Sequence, residues 1–153
     1  MLGRTHLACG VLLCSLRFHG PAEVGACLFG SLLPDLDHPC SFIGGRLRPV
    51  SGFLYAIAGH RGAFHSLCAL LIVVCGLWRL LPNDVSLALA AGFGLHLALD
   101  LLTQKGIPLL WPFSMARLGI GLIRTGGVAD RLLGLLAFSY GFFVIGRHWV
   151  SVG

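Results

Sequence analysis

Charge is scarce in this chain. Only 11% of its 153 residues are Asp, Glu, Lys or Arg, where an ordinary soluble domain carries about 25%. Hydrophobic residues make up 56%, and mean hydropathy is +0.87. Water solvates such a surface poorly, so a soluble globule is excluded as the default and a membrane-embedded protein takes its place. A dense basic stripe is missing too. The net charge of +5 comes from cations scattered among loops, which excludes nucleic acid as an expected partner. None of the six cysteines belongs to a Cys-x-x-Cys pair; they read as free thiols, with Cys68 and Cys75 serving as small hydrophobes inside an apolar run. No internal repeat or low-complexity tract divides the chain, so residues 1–153 read as a single domain.

Long apolar runs are what the chain does contain. A helix crossing the hydrocarbon core needs about 20 apolar residues. Residues 63–81 and 85–103 meet that need and are joined by the turn Pro82-Asn83-Asp84, which predicts an antiparallel hairpin. A third candidate covers 132–146. Near the N-terminus, 7–16 and 24–33 are each too short to span alone and read as a short helical hairpin. Arg17, His19, Pro21 and Glu23 separate the first run from Cys27, so a cleaved leader is not expected. The fold class is therefore all-α: a polytopic membrane bundle of four to five membrane-embedded helices. Two long connections remain, 38–62 and 104–130. In the second, Met115, Leu118 and Leu122 share a helical face, which fits either an amphipathic segment at the interface or an ordinary loop.

Ionisable groups at membrane depth are costly, so they usually pair, bind or react. Here they come in three groups: Pro34-Asp35-Leu36-Asp37-His38, His60-Arg61-Gly62-Ala63-Phe64-His65, and His96 with Asp100 one helical turn on. His6 stands alone at the start of the first run. His96 and Asp100 project from one helix face, as ligands of one ion or as a buried hydrogen-bonded pair. Asp35 and Asp37 cannot both stay ionised cheaply in a dry site without a cation. In a hairpin the start of one long helix and the end of the next are adjacent, so His65 meets Asp100. The open ends of the N-terminal hairpin bring His6 and 35–38 to the same side. That convergence favours a metal site, and imidazole with carboxylate is the donor set of zinc, manganese or non-haem iron. The expected ligands are His6, Asp35, Asp37, His60, His65, His96 and Asp100, with zinc first and Mn or Fe open. The cations Arg46, Arg48, Arg61, Lys105, Arg117, Arg124 and Arg131 lie in loops on that side, which places it at the cytoplasmic face.

An early His, then P-D-x-D-H, H-R-G-x-x-H-S, H-x-x-x-D-x-x-T-x-x-G and P-F-S, over His6 to Ser114, resembles the YdjM-like family. These are bacterial inner-membrane proteins described as metal-dependent hydrolases, and the resemblance implies that location and a bound metal. The ligand order is also similar, more weakly, to zinc-dependent phospholipase C and the P1-type nucleases. That likeness implies one zinc held by Asp35 or Asp37, His65, His96 and Asp100, with Asp100 bridging to a second metal on His6. No later His and Glu pair follows, so the third metal of those enzymes is not expected.

These readings converge on a membrane-bound hydrolase of a phosphoester in a lipid-like substrate, acting through a metal-activated water. Whichever of Asp35, Asp37 and His38 is not a ligand would be the general base, and Arg61 and Arg117 would neutralise phosphate. An amide or ester hydrolase is the alternative, and so is a non-enzymatic metal-binding membrane protein. A membrane lipid is the expected partner, and a homo-oligomer stays open.

Overall fold

The computed structural model describes residues 1–58 and 62–152. Among them six α-helices form: α1 (Gly3–Arg17), α2 (Pro21–Leu32), α3 (Arg48–Ala58), α4 (Leu67–Trp78), α5 (Asn83–Leu101) and α6 (Val128–Val152). Two 3-10 turns, Leu33–Asp37 and Ala63–His65, precede long connections or helices. No strand forms among the described residues, where pairing stops at two isolated bridges. The all-α class therefore holds. By length and composition α5 and the Val128–Arg147 part of α6 can cross a membrane, while α4 is apolar but shorter.

Close approach of backbones sets the architecture. A Cβ on Gly92 would lie 2.0 Å from the Cys27 carbonyl oxygen, and one on Gly30 would lie 2.3 Å from that of Leu89. Only glycine permits α2 and α5 to touch there, the small-residue packing common between membrane helices. Cys27 opposes Gly92, and Ser31 reaches both Gly92 and His96, so the two helices run parallel. α1 and α6 are parallel as well: Gly134 packs on Thr5 and Gly141, seven residues on, packs on Leu12. Each of the α1–α2 and α4–α5 hairpins leaves one end and returns to it. Both hairpins open at the same end of the molecule.

One expectation changes, and one open alternative is decided. The 38–62 connection, read as a Gly-, Pro- and Arg-rich loop, contains α3. Pro49 sits in its first turn, where a missing N–H costs nothing. The 104–127 segment is not an amphipathic helix. Ile107 and Leu118 exchange both backbone hydrogen bonds, and Gly106 and Gly121 have φ of 57° and 77°. Those left-handed glycines fold it into extended turns, and apolar spacing alone does not make a helix.

Candidate metal centre

The open ends of the two hairpins hold the cluster. α1 brings His6 in its first turn, the 3-10 turn after α2 brings Asp35 and Asp37, the turn before α4 brings His65, and the last turns of α5 bring His96 and Asp100. His6, Asp37, His65, His96 and Asp100 are fully buried. Asp35 alone keeps some exposure, 13% of its side chain.

Four atoms form a cage. His65 Nε2 lies 3.8 Å from Asp35 Oδ1 and 3.7 Å from Asp100 Oδ2. His96 Nε2 lies 3.8 Å from each of the same two oxygens. These separations are too long for charge-assisted hydrogen bonds, which run about 2.7–2.9 Å. They are slightly wider than the roughly 3.4 Å between ligands on a tetrahedral zinc with bonds of about 2.0–2.1 Å. His6 Nε2 approaches the other oxygen of Asp100, Oδ1, at 3.4 Å. The Met1 amino group pairs with that Oδ1. Two overlapping groups thus hold donor atoms within 4.8 Å of one another: Asp35, His65 and His96, and His6, His96 and Asp100.

Supporting contacts fix which atom of each ring faces the cage. His96 donates Nδ1–H to the Ser31 carbonyl at 2.8 Å, which leaves the Nε2 lone pair for the cage. His65 Nδ1 faces Asp37 Oδ2 at 3.4 Å. Such outer partners orient metal-ligating histidines. The His6 ring stacks on His96, with centroids 3.7 Å apart and planes at 10°. Both nitrogens of His6 and of His65, and Nε2 of His96, are buried with no hydrogen-bond partner. Burial pushes the His65 pKa down, but Asp35 and Asp37 outweigh it and raise it to about 9. Burial likewise pushes Asp35 up, and the histidines His65, His96 and His6 hold it below the usual carboxylate range. Orphaned donor atoms around paired carboxylates are the chemistry a divalent cation satisfies.

The other expected site residues fall elsewhere. Asp37 stands behind His65, not in the cage. His38 lies on the wall of a cleft beside Asp35 and accepts the Cys40 N–H on Nδ1, so the neutral ring carries its proton on Nε2. Arg117 is exposed on 104–127, and no contact described for it reaches the cluster. His60 and Arg61 lie outside the described residues. Two contributors escaped the sequence reading. The Ser31 carbonyl is a backbone group and leaves no residue signal. Asp130, fully buried, accepts N–H bonds from Leu2 at 3.1 Å and Gly126 at 2.8 Å. It ties the first turn of α1, and so His6, to α6. Its place just after Gly126-Gly127, at the start of an apolar run, was the available sign.

Fold and cluster together define an all-helical chain with membrane-length helices and a buried histidine–aspartate centre at one end. Residues 1–151 match the family described as YdjM inner membrane protein, and the chain belongs to that family. Inner membrane protein YdjM of Escherichia coli (strain K12) is 34% identical over 122 residues, or 75% of this chain. The chain covers 62% of the length of that relative, and the Shigella flexneri protein of the same name gives the same figures. Protein YvsG of Bacillus subtilis (strain 168) is 34% identical over 155 residues, covering 95% of this chain and 96% of its own. No solved structure matches the chain. Family and apolar helices together support an inner-membrane location.

Proposed function

We propose that the chain is a multi-pass inner-membrane hydrolase that acts at the cytoplasmic face on a phosphoester in a lipid-like substrate, using zinc or a similar divalent metal. The observation that carries this reading is the four-atom cage of His65, His96, Asp35 and Asp100, spaced for a shared ion and too wide for direct bonding. A second ion, if bound, would be held by His6 and Asp100, in place of the Met1 amino group that pairs with Asp100 Oδ1. When bound, a divalent metal supplies Lewis acidity, lowering the pKa of a water and polarising a phosphoryl oxygen.

The residues of the chain do the rest. Ser31 and Asp37 hold the two cage histidines in register. Asp35 presents the one carboxylate edge that reaches solvent. His38 offers Nε2–H towards a phosphate oxygen or leaving group. Besides α5 and α6, helices α1, α2 and α4 complete a bundle of five membrane-embedded helices. Leu71 and Ile72 of α4 support this, being over 60% exposed as a lipid-facing surface would be.

One observation favours a second reading. Four protein donors fill a tetrahedral ion, as structural zinc sites do, whereas catalytic sites keep a position open. A non-enzymatic metal-binding protein fits the cage; only the His6 side, with fewer donors, leaves room for chemistry.

Metal content of detergent-purified protein tests the centre. Wild type should hold about one to two zinc ions per chain, His65→Ala, His96→Ala and Asp100→Ala should lose most of it, and His19→Ala at the far turn should not. Equal content in all four variants would overturn the centre. Phospholipids and isoprenyl phosphates then test the reaction. Zinc bound without turnover above the Asp100→Ala background favours the non-enzymatic reading.

A further inference from the structure

Two cavities meet at Arg4. One is a polar cleft of about 370 Å³, with Arg4 and Lys105 on its walls beside His38 and Ser41, and Asp35 among its lining residues. Asp35 is also the single exposed edge of the cage, so this cleft is the way to the centre from solvent. The other is an apolar groove of about 610 Å³ between α1 and α6, lined by Leu7, Val11, Leu135 and Phe138. Because α1 and α6 are parallel, Arg4 and Arg131 stand together at the cleft end of this groove, and the apolar residues follow one to two turns further along each helix.

We infer that the pair forms a head-and-tail site for an amphiphile with one phosphate. The phosphate sits in the polar cleft against Arg4 and Lys105, with its ester oxygen towards Asp35 and the centre, and one hydrocarbon chain lies along the α1–α6 groove. Three observations converge on that occupant. The cleft is lined by two cations, Arg4 and Lys105, against one carboxylate, Asp35, so its wall is net positive and attracts an anion. The groove beside it offers aliphatic and aromatic walls with no acidic residue. The same arginine borders both, as it would at the junction between a phosphate and its chain. Guanidinium recognises phosphate through paired N–H donors, and each methylene buried along the groove adds affinity. The inference rests on the hydrolase reading, and it assigns the anion role to Arg4 and Lys105 where the sequence pointed to Arg117.

Zinc-loaded protein in phosphatidylcholine nanodiscs is titrated with inorganic phosphate and with dodecyl phosphate, empty discs correcting for partition. Wild type should bind dodecyl phosphate at least about tenfold more tightly than phosphate, given the chain-burial contribution. Arg4→Gln and Lys105→Gln should each weaken both probes about tenfold, the loss of a charged hydrogen bond, with zinc retained. Leu135→Trp, at an exposed position in the groove, should weaken dodecyl phosphate alone, and Arg117→Gln should weaken neither. Unchanged phosphate affinity in both cation variants overturns the head site. Equal affinity for the two probes, or no effect of Leu135→Trp, overturns the tail site in favour of free phosphate. A wild type that takes up no zinc yet shows the full pattern sinks the metal centre and leaves this site standing.

Discussion

At the residue scale, the cluster separates the atoms that face the cage from the groups that aim them. Asp35 and Asp37 are two apart in sequence, and nothing in the sequence said which would face the ion. The 3-10 turn decides it: Asp35 points at both cage histidines, and Asp37 at the outer nitrogen of His65. Asp37→Asn should therefore weaken zinc affinity by about 10- to 100-fold without changing stoichiometry, read by competition with a chelating dye. An Asp37 that is itself a ligand would cost an ion. His65 also gives a pH signature. Its folded pKa of about 9 exceeds the unfolded value of about 6.5. Its protonated pairing with Asp35 and Asp37 stabilises the fold fully below pH ~6.5 and is lost as pH rises through ~9. Melting of chelator-treated protein should drop between pH 6 and 10, and zinc-loaded protein should drop less, since a His65 bound through Nε2 is already neutral and keeps only the Nδ1 proton that faces Asp37. The His96 and Asp100 pair was readable because i, i+4 spacing fixes a shared face in any helix. The aim of Asp37 was not, because a 3-10 turn has no such fixed projection from sequence alone.

At the element scale, the centre depends on how closely α2 and α5 approach. Gly92→Ala should separate them, since its Cβ would meet the Cys27 carbonyl at 2.0 Å. Overpacking of this kind costs about 1–3 kcal/mol, and here it also draws the Ser31 carbonyl away from His96. Gly94→Ala, two residues on, has open space around it and should leave both melting temperature and zinc content unchanged. If Gly92→Ala matched it in both, the tight crossing would not be what positions His96. The hairpins themselves were legible: apolar runs, Pro82-Asn83 and Gly20-Pro21 mark the helices and their turns. α3 was not, because Pro49 and Gly52 read as loop composition; the helix lies against the 3-10 turn that carries Asp35. The 104–127 segment stayed open between helix and loop for the opposite reason: its apolar spacing suits a helix while its glycines favour turns.

For the whole molecule, the hairpin openings gather charge on one side. Arg4, Arg46, Arg48, Lys105, Arg124 and Arg131 lie at the end that holds the cluster, and Arg17, Arg79 and Arg147 lie at the opposite helix ends. α6 exposes Leu135, Leu136, Phe142 and Phe143, each more than half accessible, as a helix against lipid would. With the positive-inside rule, this orientation predicts that single cysteines at Arg48 and Arg124, in a cysteine-free background, react from the cytoplasmic side only. Labelling of both from outside intact cells would invert the molecule.

The parallel pairing of α2 with α5 also fixes a sequence of events in synthesis. Donors from the first hairpin, His6 and Asp35, leave the ribosome long before His96 and Asp100. A nascent chain that has inserted only its first hairpin owns half a cage and no ion. Any metal would therefore be captured only after the second hairpin is inserted, and it would join two separately delivered halves.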